Sequence, residues 1–151
     1  MRRIVRAVAD ATGRGLVAGL VGTAAMTLSS SVEARLTGRG ASTTPADAAE
    51  KLSGLRPGDD EARQRFAESV HWTYGTCWGV PRALIAAAGL RGLPASLLHL
   101  GVVWGGEQAL LPALDVGRPV WEYGASAAVA DGIHHVVYAL VTGVVSDWLG
   151  A

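Results

Sequence analysis

Between Arg14 and Glu33 the chain runs for 18 residues, GLVAGLVGTAAMTLSSSV, without a charged side chain. As an α-helix rising about 1.5 Å per residue, that stretch nearly crosses a hydrocarbon core of about 30 Å. Three more long apolar stretches follow, over 69–90, 92–114 and 123–146. Each is interrupted by one charged residue: Arg82, Glu107 and Asp131 respectively. Four such segments in 151 residues leave too few polar faces for water to wet, which argues against a soluble helical bundle. No run of about ten residues alternates apolar and polar as a barrel strand would. The expectation is therefore an all-α fold: one integral membrane domain, residues 1–151, with transmembrane helices over 15–32, 69–90, 92–114 and 123–146.

Composition agrees. Half of the chain is hydrophobic and 17% is charged, against roughly 25% charged in an average soluble domain. Glycine, at 20 residues, is well above its usual share of about 7%. The mean hydropathy of +0.28 is modest because a polar connection over 33–68 dilutes it. Within that connection TTPADAAEKLSG reads as a short helix, with Thr44 as N-cap, Pro45 first, Asp47 in the opening turn and Gly54 as the stop. Asp59 or Asp60 then caps a helix that runs on into the second span. Pro94 and Pro119 stand at or before the starts of spans three and four, whereas Pro81 and Pro112 lie inside or near the ends of theirs and would kink them. The start, MRRIVRAVADATG, is basic and weakly amphipathic and suits a membrane surface. A cleaved signal peptide is the poorer reading, since the later apolar spans make it unnecessary and no good A-x-A site follows. The formal net charge of zero gives no electrostatic case for a nucleic-acid partner. Cys77 is the sole cysteine, and its apolar setting makes it a small packing residue.

Glycine spacing points to close helix contacts. Gly15, Gly19 and Gly22 lie on one stripe of the first span. Gly75 and Gly79 form G-x-x-x-G in the second, and Gly101 and Gly105 in the third. Small residues so spaced let backbones approach within one chain or between chains. Trp72, Trp121 and Trp148 fall near span ends, as an aromatic belt requires, and Trp78 and Trp104 lie deeper as core filler.

The three interrupting charges carry the chemistry. Each costs on the order of 3 kcal/mol at a helix centre, a cost reduced by turning inward and pairing. Arg82 lies about ten residues before the turn joining spans two and three, and Glu107 about fifteen after it. The expectation is a cluster of Arg82 with Glu107 or Asp131 or both. In the fourth span Asp131, His135, Tyr138 and Thr142 share a face that should look into the bundle. His134 points about 100° away and is the lesser candidate. Asp131 and His135, four apart, could share a hydrogen bond or a metal. A metal would need further ligands, for which Glu107 and His99 are the candidates. A bis-histidine haem would need two of His71, His99 and His135. Neither pattern is strong, so no metal and no cofactor are expected, with His71 and His99 kept as secondary site candidates. No phosphate loop, nucleophile elbow or zinc-hydrolase motif is present, and an enzyme is not expected.

GLVAGLVGTAAMT, HWTYGTCWG, a Trp-Glu pair before span four and HHVVYALVTG together resemble the YagU-like bacterial inner-membrane proteins, over about residues 13–148. The resemblance implies a small four-helix membrane protein of the bacterial inner membrane. It carries over His71, Trp72, Tyr74, Gly75 and Gly79 in span two and His135 with Tyr138 in span four. It supplies no mechanism, and PRAL after Gly79 departs from the pattern, which sets Arg82 apart.

Orientation is weakly marked. Arg2, Arg3, Arg6 and Arg14 favour a cytoplasmic N-terminus, while Arg35, Arg39, Lys51, Arg56, Arg63 and Arg65 crowd the first connection. The expectation is a multi-pass protein with both termini cytoplasmic. Its partners would be the bilayer and a second copy or another membrane protein. The leading function is structural or accessory, through an inward polar cluster. The alternative is proton or ion handling by Glu107, Asp131 and His135.

Overall fold

Among the described residues the chain forms five α-helices and one 3₁₀ turn, and no strands. The structure is a computed structural model that describes residues 1–38 and 43–150. Arg39, one of the cations counted in the first connection, lies outside them. The helices are α1 (Arg2–Thr37), α2 (Thr44–Ser53), α3 (Asp60–Ala87), α4 (Gly92–Ala113) and α5 (Ala125–Leu149).

Local chemistry accounts for the ends. Helix α2 begins one residue earlier than expected: Thr43 is its N-cap and Thr44 its first residue. The Thr43 hydroxyl donates to the Asp47 carboxylate at 3.1 Å. Gly54, with φ of 72°, ends α2 in the left-handed conformation that side chains resist. Asp59 caps α3 by accepting the Ala62 N–H at 2.7 Å. Helix α3 then continues through Pro81 to Ala87. The fourth long helix starts later than expected. Val120–Tyr123 form the 3₁₀ turn, and Gly124 at φ 96° breaks the chain direction before Ala125.

Helices α1, α3, α4 and α5 run up-down-up-down, and α2 lies against α3. Helix α1 packs most extensively on α3 and then on α5, while α4 lies chiefly on α5. Glycine makes the α1–α3 seam close. A methyl group on Gly79 would stand 2.6 Å from the Gly19 Cα, and one on Gly15 would stand 2.6 Å from the Val80 Cα. Thr23 fills the space over Gly75. Gly22 turns instead to α5, where a methyl would meet the Tyr138 ring at 3.2 Å. Gly101 and Gly105 have open space around them, so within one chain they admit no neighbour.

The distribution of polarity is inverted. Buried apolar residues are mostly alanine (Ala11, Ala18, Ala83, Ala95 and Ala139 among them), and the largest fully buried side chains are Arg82, His99, Thr23 and Thr142. Exposed residues include Leu16, Val17, Leu20 and Val21 on α1, Leu93, Leu97, Leu98 and Val102 on α4, and Val129, Ile133, Leu140 and Val144 on α5. Helices α1 and α5 are long and apolar enough to cross a membrane, and only 28% and 33% of their apolar stretches are buried. The core helix of a soluble domain would hide most of such a stretch. No stretch of α3 or α4 meets the same criterion of length and apolarity.

Candidate functional site

Side chains of α5 line the interior from Asp131 to Asp147, a distance of about 24 Å at 1.5 Å per residue. Along this row the polar groups fall into separate knots.

The first knot joins α4 to α5. His135 Nδ1 lies 2.9 Å from the Asp131 carbonyl oxygen, and its Nε2 lies 2.8 Å from Glu107 Oε2. A carbonyl can only accept, so Nδ1 carries a proton. The second ring nitrogen then shares one further proton with Glu107. Either the pair is imidazolium and carboxylate, or it is imidazole and carboxylic acid. Asp131 Oδ1 sits 3.5 Å from Nδ1, and Asp131 Oδ2 accepts the Trp104 indole N–H at 2.7 Å. Trp104 is thus a donor to the site rather than filler, and its ring lies 6.3 Å from that of His135. The His135 side chain is 7% exposed, and those of Glu107 and Asp131 are 27% and 31% exposed.

The second knot holds Arg82, and it corrects the expected cluster. Arg82 pairs with neither Glu107 nor Asp131. Its Nη2 donates to Asp147 Oδ2 at 2.7 Å, near the end of α5. The same carboxylate oxygen accepts the Gly92 N–H at 2.9 Å, which ties the α3–α4 turn to α5. The reason is depth. Helix α3 ends at Ala87 and α4 begins at Gly92. Arg82 is therefore about 8 Å below the turn and Glu107 about 22 Å below it. An arginine side chain does not bridge that difference. Sequence reasoning placed Asp147 beyond the fourth span and so missed it; an acid one residue past the expected end of an apolar span was the available signal.

Between the knots, Tyr138 donates to the Gly75 carbonyl oxygen at 2.6 Å, one turn away from His135 rather than in its cluster. His99, fully buried, donates from Nε2 to the Trp78 carbonyl oxygen at 2.8 Å, with its ring 5.7 Å from that of Tyr138. Both histidine and tyrosine thus satisfy α3 carbonyls near the proline-containing segment. His71 meets Thr27 Oγ1 at 2.9 Å. The Thr27 hydroxyl spends its own proton on the Thr23 carbonyl, so the imidazole is the donor there.

His134, set aside by its helical angle, is also buried. Its Nδ1 lies 2.8 Å from Ser29 Oγ, and Nε2 lies 3.9 Å from Glu33, both on α1. Adjacent histidines on α5 therefore serve two different helices, His134 facing α1 and His135 facing α4. Cys77, expected to pack, is exposed. Among the described residues no three His, Cys, Asp or Glu side chains converge as a metal site.

Outside the row, Arg63 holds α2 to α3 through Asp47 and through Glu50, the latter at 3.0 Å. The hydrogen bond and charge of Glu50, then the charge of Asp47, raise the Arg63 pKa above its ordinary value.

An open hollow of about 540 Å³ lies at the surface of the α4–α5 connection, and a small cavity of about 20 Å³ lies at the opposite end. Neither is lined by Glu107, Asp131 or His135. No family model, no curated protein and no solved structure matches the chain.

Proposed function

We propose that the chain is an integral membrane protein, a bundle of four transmembrane helices whose inward polar knots hold it in register. Its role in this reading is structural or accessory, in the bacterial inner membrane, with both termini cytoplasmic. The observation that carries the reading is the inverted polarity: Arg82 and His99 are fully buried while leucine and valine cover the exterior. In water that arrangement exposes apolar surface and desolvates charge at once. In acyl chains both become favourable, because lipid matches the exterior and the ionisable groups escape it by pairing. The glycine seam of α1 and α3 supports it further, since close backbone packing supplies dispersion where lipid removes the hydrophobic drive between helices. Arg14 of α1 and Gly150 after α5 line one cavity, so the chain's two ends share a side of the bundle. The YagU-like likeness belongs to the same proposal.

The test is extraction. Membranes from expressing cells should retain the protein through alkaline washing and release it only to detergent. Recovery as a monodisperse species in plain buffer would end the membrane reading.

A second reading is favoured by one feature. His135 and Glu107 share a proton, and Asp131 stands beside them with about a third of its side chain exposed. Such a triad could pass protons through part of the bundle. Vesicles loaded with a pH-sensitive dye separate the two. On the structural reading Glu107→Gln, Asp131→Asn and His135→Ala lower stability and leave proton flux at the level of empty vesicles. Flux in the wild type that these substitutions abolish would establish the second.

A further inference from the structure

We infer that the end of the bundle formed by Arg14, Arg91 and the last turn of α5 binds the headgroup of an anionic phospholipid that carries a free hydroxyl. The inference rests on the membrane reading.

Charge is the first argument. Arg14 comes from α1 and Arg91 from the α3–α4 turn, and both line the small cavity with Ser146 and Asp147. Asp147 is already matched by Arg82. Arg14 makes no ion pair among the described residues, and Arg91 donates only to the Gly150 carbonyl oxygen at 3.2 Å. Among the described residues, then, two guanidiniums at one rim have no acidic partner. Arg2, Arg3 and Arg6 add further positive charge on the exposed first turns of α1, beyond the same end.

Unused hydrogen-bonding groups are the second argument. Ser146 is 3% exposed, and its hydroxyl has no partner among the described residues. Asp147 Oδ1 is buried and likewise unused. Behind them Arg82, at 0% exposure, leaves Nε and Nη1 unmatched. Both residues line the small cavity, and a ligand hydroxyl admitted there by a small side-chain shift would donate to Asp147 and accept from Ser146. The cavity's 20 Å³ admits one such group and no more. The phosphate itself would stay outside, between the two arginines, whose forked donors suit it.

The surroundings are the third argument. Leu16 and Val17 on α1 and Leu84 and Leu90 near the end of α3 are exposed beside the rim. A ligand seated here meets cations on one side and apolar surface on the other, which is the chemistry of a lipid rather than of a free anion.

The experiment uses the full chain in nanodiscs of phosphatidylcholine doped with one test lipid, read by native mass spectrometry of retained lipid and by thermal unfolding. Phosphatidylglycerol should be retained over phosphatidylcholine by on the order of tenfold, and should raise the unfolding midpoint. Phosphatidylserine, equally charged but without the hydroxyl, should be retained less. The Arg14→Gln, Arg91→Gln double variant should keep the helical spectrum and lose the enrichment. Ser146→Ala should narrow the gap between the two anionic lipids. Equal retention of phosphatidylglycerol and phosphatidylserine would leave only surface charge and overturn the inference. So would undiminished enrichment in the double variant, or equal protection by water-soluble glycerol phosphate. Each of these outcomes is read on protein already inserted in bilayer, so it is distinct from failure of the membrane reading, in which no loaded nanodisc forms.

Discussion

Replacing Gly79 by alanine is the sharpest test of how this bundle is held. The added methyl would stand 2.6 Å from the Gly19 Cα and 2.5 Å from its nitrogen, and closer still to the Gly15 carbonyl oxygen. Carbon atoms in contact settle at about 3.5–4.0 Å. The two helices must therefore part by about 1 Å along the seam, because the opposing atoms are backbone and no rotamer can move them aside. A gap of that size forfeits a quarter to a half of each dispersion contact it opens. Overpacking of this kind costs about 1–3 kcal/mol, and a backbone obstacle places Gly79→Ala in the upper half of that range. Gly101→Ala and Gly105→Ala are the controls. Nothing lies within 4 Å of a methyl at either position, so each should stay within about 0.5 kcal/mol of wild type. The assay is reversible unfolding in mixed micelles with increasing denaturing detergent, followed by helical circular dichroism. If Gly79→Ala proves no more damaging than Gly101→Ala, the α1–α3 seam does not carry the fold.

The remaining predictions concern the polar groups. Asp147→Asn leaves Arg82 buried without its carboxylate and should destabilise by about 3 kcal/mol, as loss of one partner of a buried pair does; the same micelle titration measures it. Trp104→Phe removes the indole donor to Asp131 while keeping an aromatic ring, though a smaller one. It should cost about 1–3 kcal/mol, and in the wild type the Trp104 side-chain proton should be detectable by NMR as a strongly hydrogen-bonded indole. Arg63→Ala should release α2 from α3 by removing its ties to Asp47 and Glu50. Amide exchange in Thr44–Ser53 should accelerate, with the unfolding midpoint of the long helices unchanged.

Much of the all-helical architecture was legible because long apolar helices announce themselves by runs without charge. All four expected segments fall within or largely overlap a long helix. Gly15, Gly19, Gly75 and Gly79 stand in the seam that their spacing suggested. Contact partners were far less legible, because spacing fixes the face of a residue and not the helix it faces. Gly22 shares the stripe of Gly15 and Gly19, yet it meets α5, while its neighbour Thr23 keeps the contact with α3. His134 and His135 differ by 100°, which on spacing alone makes His134 the lesser candidate. In a bundle of four, one helix can have two inward neighbours, so both directions are interior. Arg82 shows the limit most clearly. Its pairing depends on the depth at which α3 ends: with α3 stopping at Ala87, Arg82 lies much nearer the turn than Glu107 does and meets Asp147 instead. Apolar runs locate a turn only loosely, since Ala88 to Arg91 are as compatible with a last helical turn as with a connection. The consequence is that α5 splits its two acids between opposite ends. Asp131 is held by Trp104 beside the His135–Glu107 pair, and Asp147 is held by Arg82 and the Gly92 amide. Two knots at different depths resist sliding and tilting of α5 together, which one central cluster would not do, because a single point of attachment leaves rotation about it free.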